Sequence, residues 1–109
     1  MRNLRNSVLL IGHLGNDPDV RKLQNGRKMA LLSLATNETY KKSNGDKITT
    51  TQWHRCVAWG RTAEVMENFL KKGKEVALRG KLTYNSYEDK NGIQRTSAQI
   101  VIDEFVMLK

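Results

Sequence analysis

One short segment near the middle of the chain carries the residue types best suited to binding chemistry. Trp53, Arg55 and Trp59 are separated by even numbers of residues, so in a β-strand, whose side chains alternate between two faces, all three share one face. Nucleobases stack on aromatic rings, and an arginine between two such rings suits a phosphate. The small residues of the other face, Cys56 and Ala58, suit a protein interior. The segment therefore predicts a base-stacking surface, with two core tryptophans as the alternative.

A later segment repeats this arrangement of cations and aromatic residues. Arg79, Lys81 and Tyr87 share one strand parity, which makes that face cationic with an aromatic residue at its end. Tyr84 has the opposite parity, together with apolar residues, and is expected to pack in the interior. This division holds only if no β-bulge near Gly80 reverses the alternation.

Two hairpin loops carry further lysines. Tyr40, Lys41 and Lys42 lie at the start of the first loop. This order predicts a projecting basic hairpin loop with an aromatic residue at its base. Tyr87 stands at the base of the second loop. Lysines in loops are ordinarily just solvated, so either loop alone is weak evidence for binding, and the two tyrosines strengthen it by extending the aromatic face.

His54 and Cys56 come nearest to a catalytic nucleophile and its base. They lie two residues apart on one strand face, but no Asp or Glu is close in the sequence to orient the histidine, as a catalytic triad requires. A chain with two histidines and one cysteine lacks the ligands of an ordinary zinc site. It also has no glycine-rich phosphate-binding motif. We therefore expect no catalytic centre, no metal and no cofactor.

Five strands and one helix would position these residues. Three Asn-Gly pairs, at 25–26, 44–45 and 91–92, mark hairpin turns. The predicted strands are 6–14, 28–38, 49–58, 75–87 and 96–108. One helix between the third and fourth of these strands completes the order typical of an all-β, five-stranded Greek-key barrel of the OB-fold type.

The helix is predicted over residues 62–72. Its apolar residues recur at the spacing of one helical stripe and are Val65, Met66, Phe69 and Leu70. That spacing makes Phe69 a candidate core residue. Thr62 is suited to cap the N-terminus, Glu64 to stabilise the first turn, and Gly73 to end the helix.

Length and charge limit the class of protein. The 109 residues suffice for one domain, 1–109, and no apolar run approaches the roughly 20 residues of a membrane-spanning helix. The net charge of +8, from 19 Lys and Arg against 11 Asp and Glu, fits nucleic acid, an anionic membrane surface or solvent alone. The single cysteine excludes an internal disulfide and fits a reducing compartment.

Five segments, in order and covering nearly the whole chain, resemble the bacterial single-stranded DNA-binding protein family. They are VLLIGHLGNDPDVR at 8–21, LATNE at 34–38, TQWHRCVAWG at 51–60, AEV and LKKG within 63–73, and VALRGKL at 76–82. The resemblance implies an OB-fold. It also implies sequence-independent binding and protection of single-stranded DNA in replication, recombination and repair, without catalysis.

The resemblance also assigns site residues. The four aromatic positions on which the family stacks bases match Tyr40, Trp53, Trp59 and Tyr87, and cations along its DNA path match Arg55, Arg61, Lys71 and Lys72. Two of the aromatic positions are tryptophan in relatives and tyrosine here, so binding should be kept with altered strength. Phe69 matches a position near the DNA. The cations of the strand and loop patterns complete the predicted site: Lys41, Lys42, Arg79 and Lys81.

Assembly and location are implied in the same way. His54 matches a histidine at a subunit interface of the family. That match suggests a homotetramer built as a dimer of dimers, in which the first strand, with Asn6, Val8 and Leu10, would pair across the dimer two-fold axis. The acidic tail with which the family recruits replication and repair enzymes has no match here, so a truncated chain and a naturally short member are both open. We expect a cytoplasmic protein of the bacterial nucleoid with no membrane partner.

Other functions stay open beside this one. A primosome-type accessory protein is a dimeric barrel related to the same family that acts mainly through protein contacts on DNA. The missing tail favours it, and the intact aromatic set opposes it. An OB or cold-shock-like module would bind RNA instead. An enzyme is the class with least support, because Cys56 and His54 lack partners.

Overall fold

A computed structural model describes residues 4–108 of the chain. Its strands, in chain order, are β1 (Val8–Leu14), β2 (Asp19–Lys22), β3 (Lys28–Lys41), β4 (Lys47–Trp59), β5 (Glu75–Glu88) and β6 (Gln94–Met107), and the helix α1 (Gly60–Phe69) lies between β4 and β5. Residues 1–3 and 109 of the predicted domain lie outside the described residues.

Five of these strands close into a barrel. β1 pairs with β5, β5 with β6, β6 with β4 and β4 with β3, and β3 returns to β1 at His13 and Leu14. The contact between β4 and β6 is parallel, and the other pairs are antiparallel. The helix follows the third strand of the barrel. The predicted all-β OB-fold barrel is therefore confirmed.

One short strand, β2, lies beside the five predicted strands of the barrel and was not predicted from the sequence. β2 pairs with the start of β3, from Lys22 opposite Lys28 to Asp19 opposite Leu31. Further along, the same edge of β3 pairs with β1. With four residues, β2 is too short to show the alternation by which strands are recognised in a sequence.

The barrel interior is filled by the inward-facing residues of the strands and by one side of the helical segment. The buried cluster consists of Leu14, Ala30, Leu32, Leu34, Cys56, Ala58, Ala63, Met66, Leu70, Val76, Leu78, Ile100 and Ile102. Cys56 and Ala58 are fully buried, as the alternation in β4 predicts. Their small side chains leave room for the helix to pack against the sheet.

The Cys56 thiol is expected to resist alkylation in the folded protein. Burial raises its pKa to about 12, and the thiolate is the reactive form. At pH 8 the thiolate fraction should fall by roughly three orders of magnitude relative to an ordinary cysteine. Mass spectrometry after iodoacetamide treatment, with and without urea, measures this difference. Equal labelling of the folded and unfolded chain would contradict it.

Helix α1 begins earlier than the sequence pattern predicts. β4 stays paired with β3 up to Trp59, so the helix starts at the next residue, Gly60, without a side-chain cap. Thr62 and Glu64 therefore lie inside the helix, and neither has its predicted role at the N-terminus. The helix also ends at Phe69, before the predicted terminus at residue 72.

The end of the helix corrects a second expectation. Leu70 is buried, but Phe69 is 60% exposed, so of the two alternatives for Phe69, a core residue and a position near the DNA, the core alternative is wrong. The buried residues of α1 are Ala63 and Met66, so only part of its apolar stripe packs against the barrel. An ion pair between Lys28 and Glu67, 2.9 Å from Nζ to Oε1, ties the helix to β3. The hydrogen bond and charge of Glu67 raise the pKa of Lys28.

Two long hairpins project from the barrel. We call residues 36–52 of β3 and β4 the first arm and residues 83–98 of β5 and β6 the second arm; both are largely exposed. They give the molecule extents of 57 × 41 × 29 Å and a radius of gyration of 16.0 Å. A compact chain of this length would have a radius of gyration of roughly 13 Å. The arms therefore extend the surface on which a long ligand could lie.

Candidate nucleic-acid interface

The outward face of β4 carries the residues with the strongest sequence signal. Trp53 is 63% exposed, Arg55 is also exposed, and Trp59 is half-buried. Val57, between Arg55 and Trp59, is only 2% exposed. Trp53 is therefore not a core residue. Val57 is a buried apolar residue that lies between the exposed Arg55 and the ring of Trp59.

Neighbouring strands extend this face. Leu31 of β3 and Val101 of β6 lie beside Val57, and Lys81 of β5 lies beside Val101. Residues directly opposite in a ladder project to the same side of a sheet. We call this outward face the β4 platform. Its residues are Leu31, Trp53, Arg55, Val57, Trp59, Lys81 and Val101.

A groove of about 340 Å³ opens beside Arg55. Its lining consists of Asn16, Asp19, Leu31, Leu32, Ser33, Arg55 and Gln99. Arg55 makes a long hydrogen bond of 3.4 Å from Nη1 to Ser97 Oγ, which uses one of its five N–H groups. The sequence pattern did not indicate Asn16, Asp19 or Gln99, because only the closed sheet brings these segments to Arg55.

The Trp53 ring rests on the turn that follows β1. A Cβ atom at Gly15 would overlap Cζ3 of Trp53 and lie 3.0 Å from its Cη2, so the missing side chain of Gly15 makes room for the indole. The same turn holds the segment after α1, since Asp17 Oδ1 accepts the backbone N–H of Lys72 at 2.8 Å. The exposed Lys71 and Lys72 are thereby held close to the Trp53 end of the β4 platform.

A cation that the sequence pattern did not indicate covers Trp59. The guanidinium carbon of Arg27 lies 5.0 Å from the centroid of the Trp59 ring, within the range of a cation–π interaction. Met29 pairs directly with Trp59, and Arg27 precedes Met29 by two residues, so it is a diagonal neighbour on the same side. Only the register of β3 against β4 reveals this relation.

The first arm does not present its tyrosine as predicted. Tyr40 is 55% exposed and pairs with Ile48 in a register that runs without a shift from Trp59. Its even-numbered position therefore lies on the opposite face of the hairpin from Trp53. The expectation that Tyr40 extends the Trp53 face is wrong in this respect. Lys41 and Lys42, at the end of the same arm, are exposed.

The second arm exposes tyrosines on both of its faces. Tyr87 is 52% exposed and shares the parity of Lys81, whereas Tyr84 is 65% exposed on the other face. The prediction that Tyr84 packs inside is wrong, because the arm has left the barrel at this point. The β-bulge near Gly80 does exist, but its extra residue, Asp103, belongs to β6. The alternation in β5 is therefore preserved.

The tip of the second arm is held by Asp89. Its carboxylate accepts hydrogen bonds from the Arg95 side chain at 2.9 Å and from the backbone N–H groups of Ile93 and Asn91. These donors, Arg95 first, lower the pKa of Asp89. Arg95 lies opposite Tyr87 in the ladder, so the ordered tip fixes the strand on which Tyr87 stands.

Two predicted cations lie away from the β4 platform. The Arg79 guanidinium donates to the Glu104 carboxylate, and Arg79 lies beside Leu9 of β1. Arg61, in the first turn of α1, lines a separate groove with Asp103 and Glu104. Both cations therefore have carboxylates close to them, which weakens their attraction for a phosphate.

The residues predicted to lie at a subunit interface make contacts within their own chain. His54 Nε2 lies 2.8 Å from Thr36 Oγ1. The Asn6 side chain bonds the backbone N–H and C=O of Leu82, both at 2.9 Å. Val8 and Leu10 pack against the barrel core, so their side chains do not form an outer surface.

The alternate residues of β1 are the exposed ones. Leu9 is 67% and Ile11 is 55% exposed. Within residues 4–108, β1 has a strand partner on one edge from Val8 to His13, but on its other edge only at His13 and Leu14. Backbone groups from Val8 to Ile11 on that edge are thus open to another strand.

Metal binding and membrane insertion are two further properties that the described part of the chain bears on. Between residues 4 and 108, no three His, Cys, Asp or Glu side chains are grouped so that they could hold a metal ion. In the same range, no helix has the length and apolar character needed to cross a membrane.

Sequence comparison assigns the family. The profile of the Single-strand binding protein family matches residues 5–108. The chain belongs to this family. It is 42% identical over 104 residues to Single-stranded DNA-binding protein 1 of Chlorobaculum tepidum and 42% identical over 103 residues to the Single-stranded DNA-binding protein of Neisseria meningitidis, covering 94% of this chain in both cases. It spans 64% and 59% of the length of these two family members.

Solved structures of the family share the fold. The Plasmodium falciparum SSB in complex with ssDNA superposes with a TM-score of 0.89 at 29% identity, covering 100% of this chain and 98% of that chain. A deletion mutant of the single-stranded DNA binding protein from Thermus aquaticus gives a TM-score of 0.81 at 28% identity, covering 95% of this chain and 50% of that one. The family fold thus extends over the barrel and both arms.

Proposed function

We propose that this chain, as a single OB-fold domain, binds and protects single-stranded DNA without sequence preference and catalyses no reaction. The observation that carries the proposal is the β4 platform. On this face the exposed indole of Trp53 and the guanidinium of Arg55 lie side by side, next to the buried apolar Val57. Aromatic rings that stack bases beside cations that hold phosphates are the usual means of sequence-independent single-strand binding. The names of the relatives, and the ssDNA bound to the Plasmodium protein, support the same ligand.

The arms suggest the path of the strand. Bases stacked on Trp53 and Trp59 would lie on the β4 platform, with Lys81 beside them. Tyr87 continues the platform along the second arm, whereas Tyr40 lies on the far face of the first arm. The strand must therefore curve around the first arm to reach Tyr40. The exposed cations along this path are Lys41, Lys42, Lys71 and Lys72.

A salt series with fluorescent oligo-dT tests the proposal. The logarithm of the association constant should fall linearly with the logarithm of salt concentration, by about 0.7 for each phosphate neutralised. Competition with a duplex and with oligo-rU of the same length provides the controls. A flat response to salt, or equal affinity for duplex, would contradict the proposal. Tighter binding of oligo-rU would favour an RNA-binding module.

Gly15→Ala is expected to weaken this binding by about fivefold, a part of the 1–3 kcal/mol that one stacked base contributes. The new methyl group must push the Trp53 ring off its resting place, while the rest of the platform is unchanged. Near-ultraviolet circular dichroism reports the displaced indole, and a fluorescence titration measures the affinity. Unchanged affinity together with an altered indole signal would show that the position of Trp53 does not matter for binding.

We further propose a homotetramer, built as a dimer of dimers, that associates with the bacterial nucleoid in the cytoplasm. The open backbone edge of β1 supports pairing with a second copy, since unpaired strand edges readily add strands. The exposed Leu9 and Ile11 support burial of the outer face in a second interface, and His54 is the family position at an interface. Native mass spectrometry tests the state. A dimer would favour the primosome-type accessory function instead.

A further inference from the structure

We propose that Arg27 is a phosphate-binding residue of the Trp59 stacking position, and that it covers the indole ring until a base displaces it. The inference rests on the proposed binding of single-stranded DNA. It starts from the 5.0 Å distance between the Arg27 guanidinium carbon and the Trp59 ring centroid. A base and the guanidinium cannot occupy the same face of one ring together.

The backbone of Arg27 is held in place by the turn between β2 and β3. Its C=O accepts the N–H of Leu23 at 2.8 Å, and its own N–H donates to Asn25 Oδ1 at 2.9 Å. The turn is also fixed to the barrel, because the next strand pairs Met29 with Trp59. Displacement from the ring therefore moves the Arg27 side chain and not its backbone, which keeps the guanidinium beside Trp59.

The relative strengths of the two interactions decide which group occupies the ring. An exposed cation–π contact favours the covered state by about two- to fivefold in an equilibrium constant. Stacking of a base on an aromatic side chain favours the bound state by about five- to 150-fold. The base therefore displaces the guanidinium. The cost of displacement is small, and it is recovered when Arg27 finds a new partner.

The phosphate of the stacked nucleotide is the partner that suits the released side chain. Arginine presents a planar set of donors that bonds phosphate oxygens in pairs. Its neighbours are already engaged, since Arg21 bonds Asp19 at 3.1 Å and Lys28 bonds Glu67 at 2.9 Å. The Arg27 side chain instead lies over the indole, so its move to a phosphate breaks no ion pair within residues 4–108.

Arg27→Ala tests the phosphate contact, with Arg21→Ala as the matched control. Both changes remove one positive charge from the same hairpin, but only the first removes a cation from Trp59. Loss of one phosphate contact should reduce the slope of log affinity against log salt by about 0.7. The affinity for oligo-dT should fall about eightfold at 50 mM salt and about twofold at 0.3 M salt. Arg21→Ala should leave the slope unchanged.

A second measurement tests whether the Arg27 guanidinium covers the Trp59 ring in the protein without DNA. In a Trp53→Phe background, emission comes from Trp59, since the chain has two tryptophans. Arg27→Ala should then make Trp59 more accessible to acrylamide, a neutral quencher, in the protein without DNA. In DNA-bound protein the two forms should be quenched alike, because a base covers the ring in both.

The outcomes separate this inference from the function on which it rests. Equal loss of affinity in both arginine variants, an unchanged salt slope in Arg27→Ala, or tighter binding by Arg27→Ala would each overturn the phosphate contact. If Arg27→Ala left the acrylamide quenching of Trp59 unchanged in the free protein, the claim that Arg27 covers this ring would be overturned. In all of these cases the parent chain still binds oligo-dT. Absence of binding by the parent chain would instead overturn the proposed function.

Discussion

Trp53→Ala is expected to weaken the binding of oligo-dT by about 10- to 100-fold and to leave thermal stability nearly unchanged. One stacked base contributes about 1–3 kcal/mol, and the alanine offers no ring to replace it. Since 63% of the Trp53 surface is exposed, its removal uncovers little of the barrel, and surface substitutions of this kind usually change stability by less than about 0.5 kcal/mol. A fluorescence anisotropy titration measures the affinity, and circular dichroism melting measures the stability.

Two variants make this result specific. Trp53→Phe keeps an aromatic face of smaller area and should lose about threefold or less. Tyr84→Ala removes an aromatic side chain that is equally exposed, at 65%, but lies on the other face of β5 from Lys81. Its effect should stay within about twofold. If Tyr84→Ala cost as much as Trp53→Ala, exposed aromatic area in general, and not the β4 platform, would account for binding.

The faces of β4 were predictable from sequence because this strand alternates without interruption while one of its faces closes the barrel. Cys56 and Ala58 had to be small to pack inside, which left Trp53 and Arg55 on the outside. The order of elements was predictable for a related reason. Each barrel strand is long enough for its apolar period to show, and the helix has a period of its own.

The arms were not predictable in the same way. Alternation indicates burial only where one face of a hairpin meets a core, and beyond the barrel both faces meet solvent. Tyr84 therefore has the parity of core residues and is nevertheless exposed. Tyr40 is an aromatic residue next to lysines, but its face follows from the register of β3 against β4. The position of Arg27 over Trp59 could not be predicted for the same reason, since it depends on that pairing.

A second large effect is expected inside the barrel, from Gly80→Ala. A Cβ atom at this position would overlap the carbonyl oxygen of Val101 and lie 2.8 Å from its carbonyl carbon and 3.0 Å from Cα of Ile102. These are backbone atoms, which cannot turn aside as a side chain would. The strands must separate at the point where Gly80 also pairs with Val8 of β1. Overpacking of about 1–3 kcal/mol is then joined by weakened ladder hydrogen bonds, each worth about 1 kcal/mol.

We therefore expect Gly80→Ala to lower the free energy of unfolding by about 3 kcal/mol or more, and the melting temperature by about 15 °C. Gly45→Ala is the control, because its Cβ would meet nothing within 4 Å and its φ of +94° costs about 1–2 kcal/mol without any overlap. A smaller loss at Gly80 than at Gly45 would contradict the close packing of β5 on β6. Saturating oligo-dT should raise both melting temperatures, since a ligand that binds only the folded state stabilises it. That rise would also show that the remaining folded Gly80→Ala protein keeps its β4 platform, which separates loss of stability from loss of the binding surface.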